Sequence, residues 1–185
     1  MARLPYLGAA DLDGADKNIV KSGMNLHRIL AHNPDAARCF SGLARHLRFD
    51  SSLDARLREM AILQTVYMTK SAYAYSHHLQ LSRNVGVTDN DVKAIETETA
   101  VGDSGLPDLD RAVLRAAREM TDERELADAT FDTLRAHLST AHVIDLLMVI
   151  ALYNSAVRLL GTLELDVEPA FQTELDAHPF AKEIA

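Results

Sequence analysis

Apolar positions recur along this chain at intervals of three and four, the spacing that lays them on one face of an α-helix, and they seldom alternate as in a strand. No pair of β-branched runs is joined by an Asn-Gly or Asp-Gly turn, so the pattern predicts an all-α protein of about eight helices. A first helix is expected over residues 17–32, stopped by Asn33-Pro34, and a second over 34–47 with that proline in its first turn. Ser51 and Ser52 offer N-caps for a third helix reaching residue 69, whose interior at 60–68 is apolar nearly all round, the mark of a central helix. A fourth is expected over 71–84, stopped by Gly86, and Thr88 caps a short acidic helix over 89–98. After a loop at 101–107, three more are expected over 109–120, 128–138 and 140–160, the last long and strongly apolar. The tail from Glu168 onward reads as extended or weakly helical.

Two titratable residues fall where this pattern leaves little water. Glu59 shares a helical face with Ile62, Leu63 and Val66, so its carboxylate points toward apolar packing and needs a partner. Nineteen positions later, His78 shares a mostly apolar face with Ser71, Ala74, Tyr75, Leu81 and Val85, whereas His77 lies beside Tyr73, Gln80 and Asn84 on a more polar one. A carboxylate and an imidazole brought together form a proton relay, because each tunes the other and histidine titrates near neutrality. Glu59 and His78 are therefore the candidate catalytic pair. Tyr73 and Tyr75 are candidate pocket-wall residues, with hydroxyls able to orient a substrate oxygen, and Asn154 and Arg158, four apart on one helix, could bind a carboxylate. The plainer readings are a structural ion pair of Glu59 with Arg56 or a basic residue of the second helix, a satisfied core histidine, and hydrogen bonds between helices.

Composition narrows the setting. With 185 residues and 48% hydrophobic content, the chain can bury a sizeable core as one domain over 1–185. A net charge of −8, with Lys and Arg scattered, argues against nucleic acid as a partner. The N-terminus lacks a signal peptide's apolar stretch and no uninterrupted apolar run reaches membrane-spanning length, so a cytoplasmic location away from membranes is expected. The single cysteine, Cys39, excludes an intramolecular disulfide and reads as a buried small hydrophobe. His77 and His78 are adjacent, and the pairs His27/His32 and His137/His142 are five apart, poor spacing for helical metal ligands. Neither Gly-x-Ser-x-Gly nor Gly-x-Gly-x-x-Gly occurs, so no metal and no cofactor is expected, and the partner is a small-molecule substrate.

Leu57-Arg58-Glu59, the Tyr73-x-Tyr75-x-x-His78 segment and the following Leu-x-x-x-x-Gly-Val-Thr-x-x-Asp resemble the carboxymuconolactone decarboxylase family, which includes the alkyl hydroperoxidase D-like (AhpD-like) proteins. The likeness covers a core at about 50–100, flanked by the N-terminal hairpin at 17–47 and C-terminal helices at 107–161. The Pro-Tyr-Leu start and Tyr153-Asn154 with Arg158 look like the longer subgroup. The peroxidase branch carries a glutamate, eleven residues, Cys-x-x-Cys, three residues and a histidine. Laid on this chain, that pattern puts Glu59 and His78 on the glutamate and histidine, and Ser71 and Ala74 on the two cysteines. The resemblance is thus to the cysteine-less branch, and it implies an AhpD-like helical bundle assembling as a homo-oligomer, a trimer or hexamer. It implies a lyase or isomerase for a small carboxylated lactone or keto acid, with His78 as general acid or base and Glu59 orienting it. Ser71, Tyr73, Tyr75, Asn154 and Arg158 would surround the substrate. Hydroperoxide reduction through Cys39 or a partner's thiol, and non-catalytic small-molecule binding, are the alternatives.

Overall fold

The computed structural model describes residues 2–181, and these form nine α-helices and no strand: α1 (Asn25–Leu30), α2 (Pro34–Arg45), α3 (Ala55–Met68), α4 (Ala72–Arg83), α5 (Asp89–Thr99), α6 (Asp108–Asp122), α7 (Asp128–His137), α8 (Thr140–Thr162) and α9 (Pro169–Ala177). The stretch that is apolar all round is α3, whose residues 57–67 are all buried. It packs against α4, α5, α6 and α8, and it separates two apolar cores. Met60, Leu63 and Val66 face one core with Leu79 of α4 and Val149 of α8. Leu57 and Ala61 face the other with Val113 and Ala117 of α6, Leu134 of α7 and Ile150 of α8. An AhpD-like helical bundle is the architecture.

Local chemistry sets the helix ends. Asn33 caps α2 by accepting from the Ala36 amide, with Pro34 at the first position. Thr88 and Asp91 form a reciprocal capping box on α5, and Ser139 caps α8 by accepting from His142. Gly86, at φ +89°, supplies the left-handed residue beyond α4.

Three expectations are corrected. The first helix is not continuous over 17–32: a 3-10 turn, Gly14–Asn18, is cut off from α1 at Gly23, which sits at φ +75° where a helix must stop. Ser51 and Ser52 do not cap α3; Asp54 does, accepting from the Leu57 amide, while the serines bond Asp145 and His142 of α8. Of the two readings of the tail the helical one holds, since residues 169–177 form α9, which packs on α4. Finally, α8 is long and apolar enough, by length and composition, to cross a membrane, although half of its most apolar window is buried inside the protein as in a core helix. Its outward positions Ile144 and Met148 are exposed. Beyond α2, the chain continues through a π-helical turn, His46–Asp50, before α3 begins.

Removing a capping carboxylate and removing a spectator hydroxyl should differ measurably. Asp54→Ala is expected to lower unfolding free energy by about 0.5–2 kcal/mol, and Ser52→Ala to change it by less than about 0.5 kcal/mol. Denaturant unfolding of both variants checks this; equal losses would return the cap to the serines.

Candidate functional site

α3 and α4 are joined by a tight turn, and their crossing brings Glu59 and His78 together. Glu59 Oε2 lies 2.7 Å from His78 Nδ1, with Glu59 2% and His78 6% exposed. Burial pushes the Glu59 carboxyl up, but the His78 ring, by charge and hydrogen bond, and the charges of Arg48 and Arg58 outweigh it and hold the group below its usual range. An ionised carboxylate only accepts, so the shared proton sits on Nδ1 and His78 donates it. Among the described residues Nε2 takes no protein hydrogen bond, and the ring borders a cavity. Tyr153 packs edge-on against the ring, centroids 4.8 Å apart, which fixes its plane.

The cavity, about 380 Å³, lies between α1, α2, the π-helical turn, α4 and α8. That volume is at the small end of ligand sites, roughly 300–1,000 Å³. Its wall is mainly apolar, with Met24, Leu26, Phe40, Ala44, Ala74, Leu81, Leu152, Ala156 and Leu160, and its polar side chains include His27, Arg45, Arg48, Tyr73, His77 and His78. Several of these are already engaged. The Tyr73 hydroxyl accepts from the Leu26 amide and donates to Glu168, and burial first among its causes drives its pKa upward. His27 Nδ1 lies 2.7 Å from Ser22 Oγ.

His77 departs from the sequence expectation of a polar face. It is 2% exposed, stacked between Tyr73 and Phe171 of α9 with centroids 4.3 and 3.7 Å away. Its Nδ1 donates to the Tyr73 carbonyl at 2.7 Å, and Nε2 stands 3.1 Å from Glu168 Oε2 outside hydrogen-bonding angle. Burial outweighs that carboxylate, so the ring's pKa lies below the usual histidine value.

The other sequence-predicted residues are not gathered here. Tyr75 is fully buried away from the cavity, against Tyr67 and Phe180. Ser71 precedes α4 outside the lining. Asn154 bonds Thr121 and the Ile150 carbonyl, and Arg158 is exposed and turned back on Asn154, so this pair stabilises α8 and its contact to α6 instead of reaching a ligand. Cys39 is exposed, a correction to its reading as buried, and lies outside the lining. Sequence reasoning missed Arg48, for which a cation between two apolar neighbours, Leu47 and Phe49, was the available signal.

Residues 34–123, from α2 through α6, match the carboxymuconolactone decarboxylase family and so carry both Glu59 and His78. This stretch belongs to that family. Solved structures share the fold of this chain. An alkylhydroperoxidase AhpD-core protein from Ralstonia eutropha JMP134, itself an uncharacterized peroxidase-related protein, is 24% identical over 92% of this chain and 94% of its own, with a TM-score of 0.76. The debrominase Bmp8, as a cysteine-to-alanine variant in complex with 2,3,4-tribromopyrrole, is 19% identical over 96% and 99%, with a TM-score of 0.77. A putative antioxidant defence protein AhpD from Agrobacterium tumefaciens is 20% identical over 76% and 95%, with a TM-score of 0.68. No curated protein matches the sequence.

Buried neutral histidines set how the fold responds to acid. His27 and His77 both have folded pKa values lowered by burial from 6.5. The unfolded chain therefore binds protons first as pH falls, so the native state loses stability from about pH 6.5 down through the lowered values. Urea unfolding at pH 7.5 and 5.5 should show lower stability at 5.5, and His77→Phe, which keeps the aromatic stack without a titrating group, should shrink the difference. An unchanged difference would mean that His77 titrates alike in the folded and unfolded chain.

Proposed function

We propose that this chain is an acid–base catalyst of the carboxymuconolactone decarboxylase type, a lyase or isomerase acting on a small carboxylated lactone or keto acid. The observation that carries the reading is the 2.7 Å contact between Glu59 and His78, buried on one side and open through the imidazole to a small apolar cavity. Glu59 fixes the tautomer by accepting from Nδ1, which leaves the Nε2 lone pair directed to a proton on the ligand. When Nε2 removes a proton from carbon next to a carbonyl, the imidazolium formed is stabilised by the Glu59 charge, and the electron pair moves onto the carbonyl as an enolate. Return of that proton to a different carbon is isomerisation. In decarboxylation the ring first takes a proton from solvent at Nε2; the carbon–carboxylate bond supplies the electron pair, carbon dioxide leaves, and Nε2 delivers that proton to the carbon left behind, which returns the ring to its neutral form. The apolar wall excludes water, so the charges act in a medium where they are worth more than in solution.

A thiol peroxidase is the less supported reading. The cavity is bordered by Ala74, on which the resemblance lays one of the family's cysteines, and the chain's own cysteine is exposed on α2.

Turnover of carboxylated γ-lactones and β-keto acids in deuterated water, followed by proton NMR, tests the assignment. Wild type is expected to incorporate deuterium at the reacting carbon. His78→Gln should lose about 10²–10⁴-fold in kcat, Glu59→Gln a smaller factor, and Cys39→Ser nothing. Equal rates in wild type and His78→Gln would refute acid–base chemistry at this histidine, and hydroperoxide consumption abolished by Cys39→Ser would replace it with thiol chemistry.

A further inference from the structure

We infer that Arg48 is the anion-holding residue of the cavity and that its ligand is a small acid, one carboxylate on an apolar body. This rests on the reading of the cavity as the site where His78 meets its substrate. Arg48 stands on the π-helical turn, His46–Asp50, and borders the cavity with its Nε buried and without a hydrogen-bond partner. A guanidinium carries five donors, and a buried donor left unmade is costly, so the position calls for an acceptor.

The protein itself supplies none. Arg56 reaches Asp91 and Asp110, Arg83 reaches Asp89, and Arg118 reaches Glu98, whereas among the described residues no carboxylate lies within ion-pair distance of Arg48. What it does touch is Phe49, over whose ring its guanidinium carbon stands at 5.1 Å. That contact orients the plane of the fork and leaves its edge for a ligand. Phe49 is 68% exposed and borders the same cavity, so the pair forms its outer lip.

The charges point the same way. Arg48 and Arg58 both act on Glu59, two guanidiniums on one carboxylate, which leaves an excess of positive charge beside an otherwise apolar wall. Arg45 also borders the cavity, but it is mostly exposed and spends its charge on Asp50 at 3.6 Å. Tyr73, His27 and His77 are committed to protein partners. Arg48 and His78 Nε2 are thus the guanidinium and the imidazole left to meet a ligand, one for its acid group and one for its reacting carbon, with the Ser41 hydroxyl beside them in the lining.

Benzoate and its neutral isostere benzamide probe this directly, by calorimetric titration of the full chain. Wild type should bind benzoate more tightly than benzamide. Arg48→Gln should weaken benzoate binding by about 10- to 100-fold, the worth of a charge-assisted hydrogen bond, and leave benzamide unchanged; Arg48→Lys should fall between, and serves alone if the glutamine variant does not fold. Arg158→Gln should bind benzoate as wild type does. His78→Gln should also retain benzoate, which separates anion binding from proton transfer: loss of turnover without loss of benzoate leaves Arg48 in place whatever becomes of the relay. No preference for benzoate in wild type, including no binding of either probe, or equal benzoate affinity in wild type and Arg48→Gln, would overturn the assignment.

Discussion

A carboxylate and an imidazole 2.7 Å apart, both nearly shut off from water, constrain every helix around them. Moving an ionised carboxylate out of water costs several kcal/mol even after the surroundings relax, and only fixed hydrogen bonds and charges offset it. Here the offset comes from three elements: Arg58 beside Glu59 on α3, His78 on α4, and Arg48 on the π-helical turn. A slip of α4 along α3 by one helical turn, about 5.4 Å, would strand Glu59 without its partner. The register between the two helices is therefore fixed by electrostatics as well as by packing.

Packing follows the same plan. Because α3 is covered on every side, its buried polar groups need partners within the protein, and several find them. Gln64 donates to Thr99 of α5 and accepts from Arg118 of α6, and Thr65 donates to the Ala61 carbonyl of its own helix. At the other end of the site, Glu168 accepts from Asn25 at 2.6 Å and from the Tyr73 hydroxyl, tying the start of α1 and the approach to α9 onto α4. That one carboxylate closes the cavity wall where Tyr73 and His77 stand. The site is thus assembled from both ends of the chain around a centre that the apolar pattern alone defines.

Most of this was legible in sequence because the strongest signals are local. The all-round apolar run specified α3, the acidic cap after Gly86 specified α5, and helical phase put Glu59 and His78 on inward faces. What phase on one helix could not reveal was which other element would cover each face. His77 looked polar because its neighbours on α4 are polar, and it is buried because Phe171, ninety-four positions away, stacks on it. The Asn154 and Arg158 pair had suitable chemistry and spacing, but the helix turns that face toward Thr121 and solvent. Arg48 gave almost no sequence signal, since a π-helical turn changes the angular step between side chains and breaks the phase from which faces are read.

The residue lining the cavity one turn before His78 is Ala74, 5% exposed, where the family resemblance lays one of the peroxidase cysteines. A methyl group there changes the chemistry open to the same helices. A thiolate in that position would need the imidazole to activate it, and the histidine's proton would be committed to the sulfur. With alanine, the imidazole has no protein nucleophile to serve, and the space that a sulfur would fill belongs to the ligand. Under the proposed function the relay is aimed at the ligand's own protons, in a pocket that also holds the Arg48 guanidinium. On that reading, the scaffold that holds two cysteines in the peroxidase branch carries in this chain a buried carboxylate–imidazole pair beside an alanine.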